Sequence, residues 1–172
     1  MKSILWIVAV IALCGSAQAS TTTPLVSHDS YSVGTGDIET AFSFDADILR
    51  GDFEDERVKF NLGVNYFLND ILAPGLEVEV EHLGGENGFR FLPNLKAYWP
   101  THSRVLPYFQ VAIGYAHVAG ADLFDFGVGP GINFLLSNSV AIGLQVRYDL
   151  GTGDGTYHLF HIPAQFAVYF KL

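Results

Sequence analysis

Large apolar side chains recur at every second residue from about residue 36 to the end of the chain. Between Arg57 and Asn69 one parity carries Val, Phe, Leu, Val, Tyr and Leu, whereas the other carries Lys, Asn, Gly, Asn, Phe and Asn. A period of two places successive side chains on opposite faces of a β-strand. The pattern therefore predicts strands with one apolar face and one polar face.

Eight such segments follow one another, separated by turns. They span about residues 36–49, 57–69, 76–82, 89–99, 105–117, 124–134, 140–149 and 160–172. Ala73, Pro74 and Gly75 are assigned to the turn before the third strand, and Pro93 is expected to disturb the fourth because proline lacks a ladder donor. The even number and the length of the segments predict an all-β, eight-stranded antiparallel up-and-down transmembrane barrel.

The first 19 residues have the pattern of a secretory signal peptide. Lys2 supplies a positive charge, an apolar run follows from Ile4 to Leu13, and Ala17-Gln18-Ala19 is a small-x-small cleavage site. A lipidated Cys14 is the alternative, which the bulky Leu13 disfavours. We therefore expect a signal peptide at 1–19, a flexible periplasmic lead-in at 20–35 and the barrel domain at 36–172.

Composition supports a barrel and excludes some partners. Eighteen acidic residues outnumber nine basic ones, giving a formal charge of −9, and this disfavours nucleic acid as a partner. The only cysteine lies in the predicted leader, so no disulfide framework is expected. After the leader no run of about 18 apolar residues occurs, which argues against a transmembrane helix.

Alternation does not by itself decide which face points inward. A lipocalin-like soluble barrel would place the apolar face inside. The polar parity is instead crowded with glycine, alanine, serine and asparagine, which suit a narrow lumen. Aromatic residues also gather on the apolar face near strand ends, where interfacial girdles belong; they are Tyr66, Trp99, Phe134, Tyr148 and Phe170. We therefore expect the apolar face to point outward.

Two stretches resemble small outer-membrane barrels of the OmpA/OmpX type. The first consists of residues 94–100 and 107–116, which look like the central hairpin of that family. The second consists of residues 127–131 together with Ser139-Val140 and Arg147-Tyr148. The resemblance implies the outer membrane of a Gram-negative bacterium and insertion by the barrel-assembly machinery. That machinery reads a terminal strand, so Phe166, Val168, Phe170 and Leu172 are the expected assembly signal, although the family usually ends in Phe.

Charged residues on the polar parity are the main candidate site. Unpaired charge inside a lipid-surrounded barrel is costly, so opposite charges are expected to meet there. The predicted lumen charge network comprises Lys59, Glu77, Glu79, Glu81, Arg90, Lys96 and Arg147. An excess of acids on this parity leaves a cation pore as the alternative, although eight-stranded barrels are nearly filled by side chains.

Enzymatic function is the less favoured hypothesis. Lipid A deacylases of similar size carry a His and a Ser two residues apart in one strand, and Arg147 and Asp149 occupy the corresponding positions here. His28 and Ser30 have the spacing but precede the barrel, and His158 and His161 lie on opposite faces of one strand. The sequence predicts no catalytic, cofactor-binding or metal-ligating residues.

The expected role is structural or envelope-supporting, without catalysis. The alternative is a small pore or transporter for cationic or amphipathic solutes, and a lipid A-modifying enzyme comes third. Outer-membrane lipid and lipopolysaccharide are the expected partners, and the oligomeric state is left open. The acidic loop at 50–56 is interpreted as a solvated loop rather than a divalent-ion site, and its Arg50-Gly51-Asp52 tripeptide is not interpreted as an adhesion motif.

Overall fold

The computed structural model describes residues 33–48, 56–83, 85–101, 103–118 and 120–171. Within these ranges the chain forms strands joined by turns, and no helix has the length and hydropathy needed to cross a membrane. The predicted signal peptide, most of the lead-in, and the Arg50-Gly51-Asp52 tripeptide lie outside the described residues, as do Cys14, His28 and Ser30.

Ten strand segments form one antiparallel sheet. They are β1 (Ile38–Ile48), β2 (Glu56–Tyr66), β3 (Leu72–Leu83), β4 (Glu86–Tyr98), β5 (Val105–Val118), β6 (Ala121–Leu135), β7 (Val140–Gln145), β8 (Arg147–Gly153), β9 (Thr156–His161) and β10 (Ala164–Phe170). Each strand from β1 to β6 pairs with the next, and β10 pairs with β1. The sheet therefore closes into a barrel.

The barrel has eight wall strands because β7 continues into β8 and β9 continues into β10. The register is unbroken across each junction. β6 pairs with β7 and then with β8 in one register. The pairing of β7 with β10 likewise has the same register as the pairing of β8 with β9. Pro130 lies opposite Val146 and Pro163 lies opposite Gln145, and each accepts a hydrogen bond but has no N–H to donate. The predicted eight-stranded barrel is confirmed.

The third strand begins earlier than predicted, so the assignment of Ala73, Pro74 and Gly75 to a turn was wrong. The chain reverses at residues 68–71, where the Asn69 side chain accepts hydrogen bonds from the N–H groups of Ile71 and Leu72, both at 2.8 Å. Pro74 fits within β3 because pairing with β2 begins only at Gly75.

Pro93 disturbs the wall as predicted, without ending the strand. β4 runs continuously through it, but the ladder to β5 omits Leu92 and Pro93 and resumes at Asn94 in the same register. The side chain of Pro93 points outward, away from the lumen.

Apolar side chains cover the outside of the barrel. Phe91, Val111 and Leu144 are 48%, 38% and 50% exposed, whereas their neighbours Leu92 and Ala112 are at most 1% exposed. The five predicted girdle aromatics are also exposed on the outer face. The arrangement is therefore the reverse of a soluble ligand-binding barrel, as the sequence predicted.

Candidate functional site

The enclosed lumen is the candidate site. The end of the barrel that holds Val33 and Lys171 is called the base, and the opposite end is called the rim. Two groups of polar side chains occupy the lumen between them. One, the central network, consists of Lys59, Glu77, Glu79, Glu81, Arg90, Asp125, Arg147 and Asp149. The other surrounds Glu39 and Lys96 nearer the base.

Arg147 contacts three carboxylates in the central network. Its Nη1 atom lies 2.7 Å from Oε2 of Glu77 and 3.3 Å from Oε1 of Glu79, and its Nε atom lies 2.6 Å from Oδ1 of Asp149. All four residues are at most 5% exposed. One guanidinium group thus compensates three carboxylates, two from β3 and one from its own strand β8.

Glu79 connects Arg147 to the other two cations of the network. Lys59 Nζ lies 2.7 Å from Oε2 of Glu79, and Arg90 Nη1 lies 3.4 Å from the same oxygen. Arg90 also lies 3.5 Å from Glu81 and from Asp125. Six of the seven predicted network residues therefore come together, and the structure adds Asp125 and Asp149.

Lys96 lies apart from the central network. Its Nζ atom contacts Oε1 of Glu39 at 2.5 Å and lies 5.0 Å from the ring centroid of Tyr108. Tyr98 donates a hydrogen bond to the other oxygen of Glu39, and Asn65 donates to Oε1 at 3.2 Å. Lys96, predicted in one network with Glu77, Glu79 and Glu81, contacts Glu39 of β1, which the closed barrel brings within reach across the lumen although β1 and β4 are not neighbours.

Buried aromatic rings close the lumen at the base. Tyr98 lies between Phe67 and Tyr108, with ring centroids 5.0 and 5.4 Å away, and Tyr169 lies 6.3 Å from Phe67. These four residues form the base plug, and each is at most 3% exposed. The base plug was not predicted from the sequence. The signal for it was the presence of large aromatic residues near strand ends on the parity that is otherwise polar.

The base plug depends on a glycine of β6 that lies beside Tyr108 in the ladder. A Cβ atom at Gly131 would lie 2.2 Å from Cζ of Tyr108, so alanine there must displace a buried ring. We expect Gly131→Ala to destabilise the barrel by about 1–3 kcal/mol, as measured by urea unfolding in lipid vesicles. Gly155→Ala is the matched control, since a Cβ there meets nothing within 4 Å. Equal stability of the two variants would contradict the packing described for Tyr108.

The remaining candidate residues occupy separate places. His161 is buried in the lumen and His158 is exposed on the outer face, so they do not converge. Phe166, Val168 and Phe170 share the outward face of β10, while Leu172 lies outside the described residues; their role as an assembly signal stays a prediction. Arg147 and Asp149 contact each other inside the central network.

Metal-binding groups of three or more His, Cys, Asp or Glu side chains are not found in the described part of the chain. The carboxylates of the central network instead contact lysine and arginine. The charges of these carboxylates are therefore balanced by lysine and arginine side chains.

Comparisons with known proteins identify the architecture. No protein-family profile and no curated protein sequence matches the chain. The N-terminal β-barrel domain of Pseudomonas aeruginosa OprF is 12% identical with a TM-score of 0.63, covering 80% of this chain and 100% of that one. P. aeruginosa outer membrane protein OprG is 13% identical with a TM-score of 0.54, covering 84% and 100%. Neisserial surface protein A is 16% identical with a TM-score of 0.55, covering 81% and 99%.

Identities this low establish the fold and leave the role open. The similarity extends over whole barrels, and it agrees with the apolar outer surface and the enclosed charges. A membrane-spanning sheet must pair its main-chain groups internally, and a barrel closed by the β1–β10 ladder with an apolar exterior meets that condition over its paired length. The chain is therefore an eight-stranded transmembrane barrel with the fold of small Gram-negative outer-membrane proteins.

Proposed function

We propose that the protein is a non-catalytic, structural component of the Gram-negative outer membrane whose lumen is closed to ions. The observation that carries this proposal is the filling of the lumen by two successive obstacles, the central network and the base plug. Arg90 and Arg147 cross the middle, and Tyr98 and Tyr108 cross the base, each at most 2% exposed. Outer-membrane lipid and lipopolysaccharide would be its partners, and the barrel-assembly machinery would insert it.

The paired charges support a structural role for the interior rather than a catalytic one. Arg147 and Asp149 occupy the positions compared with the His and Ser of a deacylase, and they form an ion pair at 2.6 Å. A guanidinium group does not act as a general base, and this carboxylate already accepts a hydrogen bond. We therefore propose no lipid A chemistry at this strand.

Single-channel recording tests the closed lumen. Purified full chain in a planar phospholipid bilayer is expected to give no steps above the leak in potassium chloride at neutral pH. The double variant Tyr98→Ala with Tyr108→Ala removes two rings of the base plug, and it is expected to give no stable steps because the central network still fills the middle of the lumen. Stable steps from the unsubstituted protein would contradict the proposal, and Val111→Ala, on the outer face, is the matched control.

An excess of carboxylates in the lumen favours one second candidate, a small pore or transporter for cationic or amphipathic solutes. Among enclosed strand residues with described side chains, carboxylates outnumber lysine and arginine. The carboxylates are Glu39, Asp45, Glu77, Glu79, Glu81, Asp125 and Asp149, and the cations are Lys59, Arg90, Lys96 and Arg147. Cation-selective steps in the recordings would favour this candidate over the structural role.

A further inference from the structure

The barrel wall contains a gap in its rim half, here called the seam. β1 pairs with β10 from Ile38 opposite Phe170 to Phe44 opposite Ala164, and the ladder ends there. In the same register residues 45–48 would face residues 160–163. Within the described strands, however, β9 pairs only with β8. The N–H and C=O groups of an unpaired strand edge can pair with another molecule, and leaving them without hydrogen-bond partners in hydrocarbon is costly.

Three large apolar side chains border the seam. Phe44, Phe160 and Ile162 are 62%, 65% and 58% exposed, higher than most outward residues of the paired wall, such as Val111 at 38%. Phe160 and Ile162 lie where the ladder to β1 is missing, whereas Phe44 is paired but has only the methyl group of Ala164 beside it on β10. The seam therefore presents apolar surface beside unpaired main chain.

An apolar furrow on the outer face adjoins the seam. Its volume is about 660 Å³, and its lining includes Phe42, Phe44, Phe60, Leu144 and Phe166. Ala164, also in the lining, has only a methyl group where its ladder neighbours Phe44 and Leu144 are large. Because the Phe44–Ala164 pair is also the last pair before the seam, the furrow reaches the place where the wall opens.

The inner side of the seam carries carboxylates. Asp45 is the first residue of β1 beyond its ladder with β10, and its side chain is 18% exposed. Its Oδ2 atom lies 3.3 Å from Nδ1 of His161, so these two side chains meet on the lumen side of the seam. The other ring nitrogen of His161 lies 2.9 Å from Oδ2 of Asp149. Lys59 lies opposite Asp45 in the ladder, but its ammonium group contacts Glu79. Two carboxylates thus flank one imidazole behind the opening.

We propose that the furrow and the seam form a membrane-side binding site for an amphiphile with one apolar chain and a cationic head group. The chain lies in the furrow against Phe44, Ala164 and Leu144, and the head group reaches through the seam toward Asp45. Because the furrow faces hydrocarbon, an alkyl chain fits it by van der Waals packing against its apolar lining, whereas a polar group there would be unsatisfied. The excess of lumen carboxylates makes a cationic head group favourable and an anionic one unfavourable.

This proposal rests on the proposed membrane residence but not on a closed lumen. A barrel that conducts no ions can still bind an amphiphile from the side, and a barrel that binds none can still be closed. The binding experiment and the conductance experiment therefore fail independently.

Photolabelling tests the site. The probe is dodecyltrimethylammonium with a diazirine on its alkyl chain, added to the purified full chain in phosphatidylcholine vesicles, and labelled peptides are mapped by mass spectrometry. Labelling is expected to concentrate in β1 and β10. Unlabelled dodecyltrimethylammonium should compete about tenfold better than dodecyl sulfate, a difference of about 1.4 kcal/mol in binding free energy.

Two variants separate the chain site from the head-group site. Ala164→Phe fills the furrow from outside the packed lumen and is expected to reduce labelling about tenfold, whereas Val111→Phe, on the opposite wall, should leave it unchanged. Asp45→Asn should abolish the preference for the cationic competitor. Labelling spread evenly around the wall, or unaffected by Ala164→Phe, would overturn the site. A cationic preference that survives Asp45→Asn would overturn the assignment of the head group.

Discussion

Replacing Arg147 with alanine is expected to lower the free energy of unfolding by about 3–5 kcal/mol, because removing one partner leaves buried charges without compensation. Arg147 contacts Glu77, Glu79 and Asp149, each at most 5% exposed. The barrel wall shields these carboxylates from bulk water, so the loss of the guanidinium group is poorly compensated. Reversible urea unfolding in lipid vesicles, followed by circular dichroism, measures the loss.

Two further variants distinguish lost compensation from a general effect of losing a cation. Lys171→Ala removes an exposed cation at the base and is expected to change the stability by no more than about 0.5 kcal/mol. Adding Glu77→Gln to Arg147→Ala should recover part of the loss, with a coupling free energy of about 1–3 kcal/mol. A loss below about 1 kcal/mol for Arg147→Ala would show that these carboxylates are hydrated or protonated, contrary to the network described.

An arginine at Val111 is expected to cost about 2–4 kcal/mol of unfolding free energy, the range for a cation at the bilayer midplane on a barrel surface. Val111 is central in β5, points outward, and lies between Leu95 and Val128 in the ladder. Its replacement would place a charge in hydrocarbon with apolar neighbours on both sides. The same unfolding experiment in vesicles measures the cost.

Ser137→Arg provides the matched control for this substitution. Ser137 is exposed in the turn between β6 and β7, where an arginine reaches water and lipid head groups. It is expected to change the stability by no more than about 1 kcal/mol. Equal costs at the two positions, or a neutral Val111→Arg, would mean that this belt does not lie in the membrane.

The alternation of side chains allowed most of the wall to be predicted. Outward residues such as Val58, Val64 and Leu68 and inward residues such as Lys59 and Asn65 lie where their parity places them, because a strand has no other way to arrange successive side chains. Shared parity on β3 likewise placed Glu77, Glu79 and Glu81 inside, and the need for charge compensation in a narrow lumen predicted cationic partners.

The contacts that depend on closure of the sheet could not be predicted from the sequence alone. Lys96 contacts Glu39, which is 57 residues away and on a strand that is not its neighbour, so the contact depends on the stagger of the whole barrel. The base plug has the same origin, since Tyr98, Tyr108 and Tyr169 come from three separate strands and Phe67 follows the end of β2. The turn assigned to Pro74 and Gly75 was wrong because composition favours a turn there, while the Asn69 side chain reverses the chain sooner.

The outward direction of the apolar face is tested most directly by a spin label dissolved in the lipid tails. With methyl groups observed by NMR in nanodiscs, a doxyl-labelled fatty acyl chain is expected to broaden strongly the signals of Val111, Ile142 and Leu144, which are 38%, 47% and 50% exposed. The buried methyl groups of Leu92, Ala112 and Ala141 should be affected far less. Stronger broadening of the second group than of the first would contradict a barrel that faces lipid with its apolar side chains.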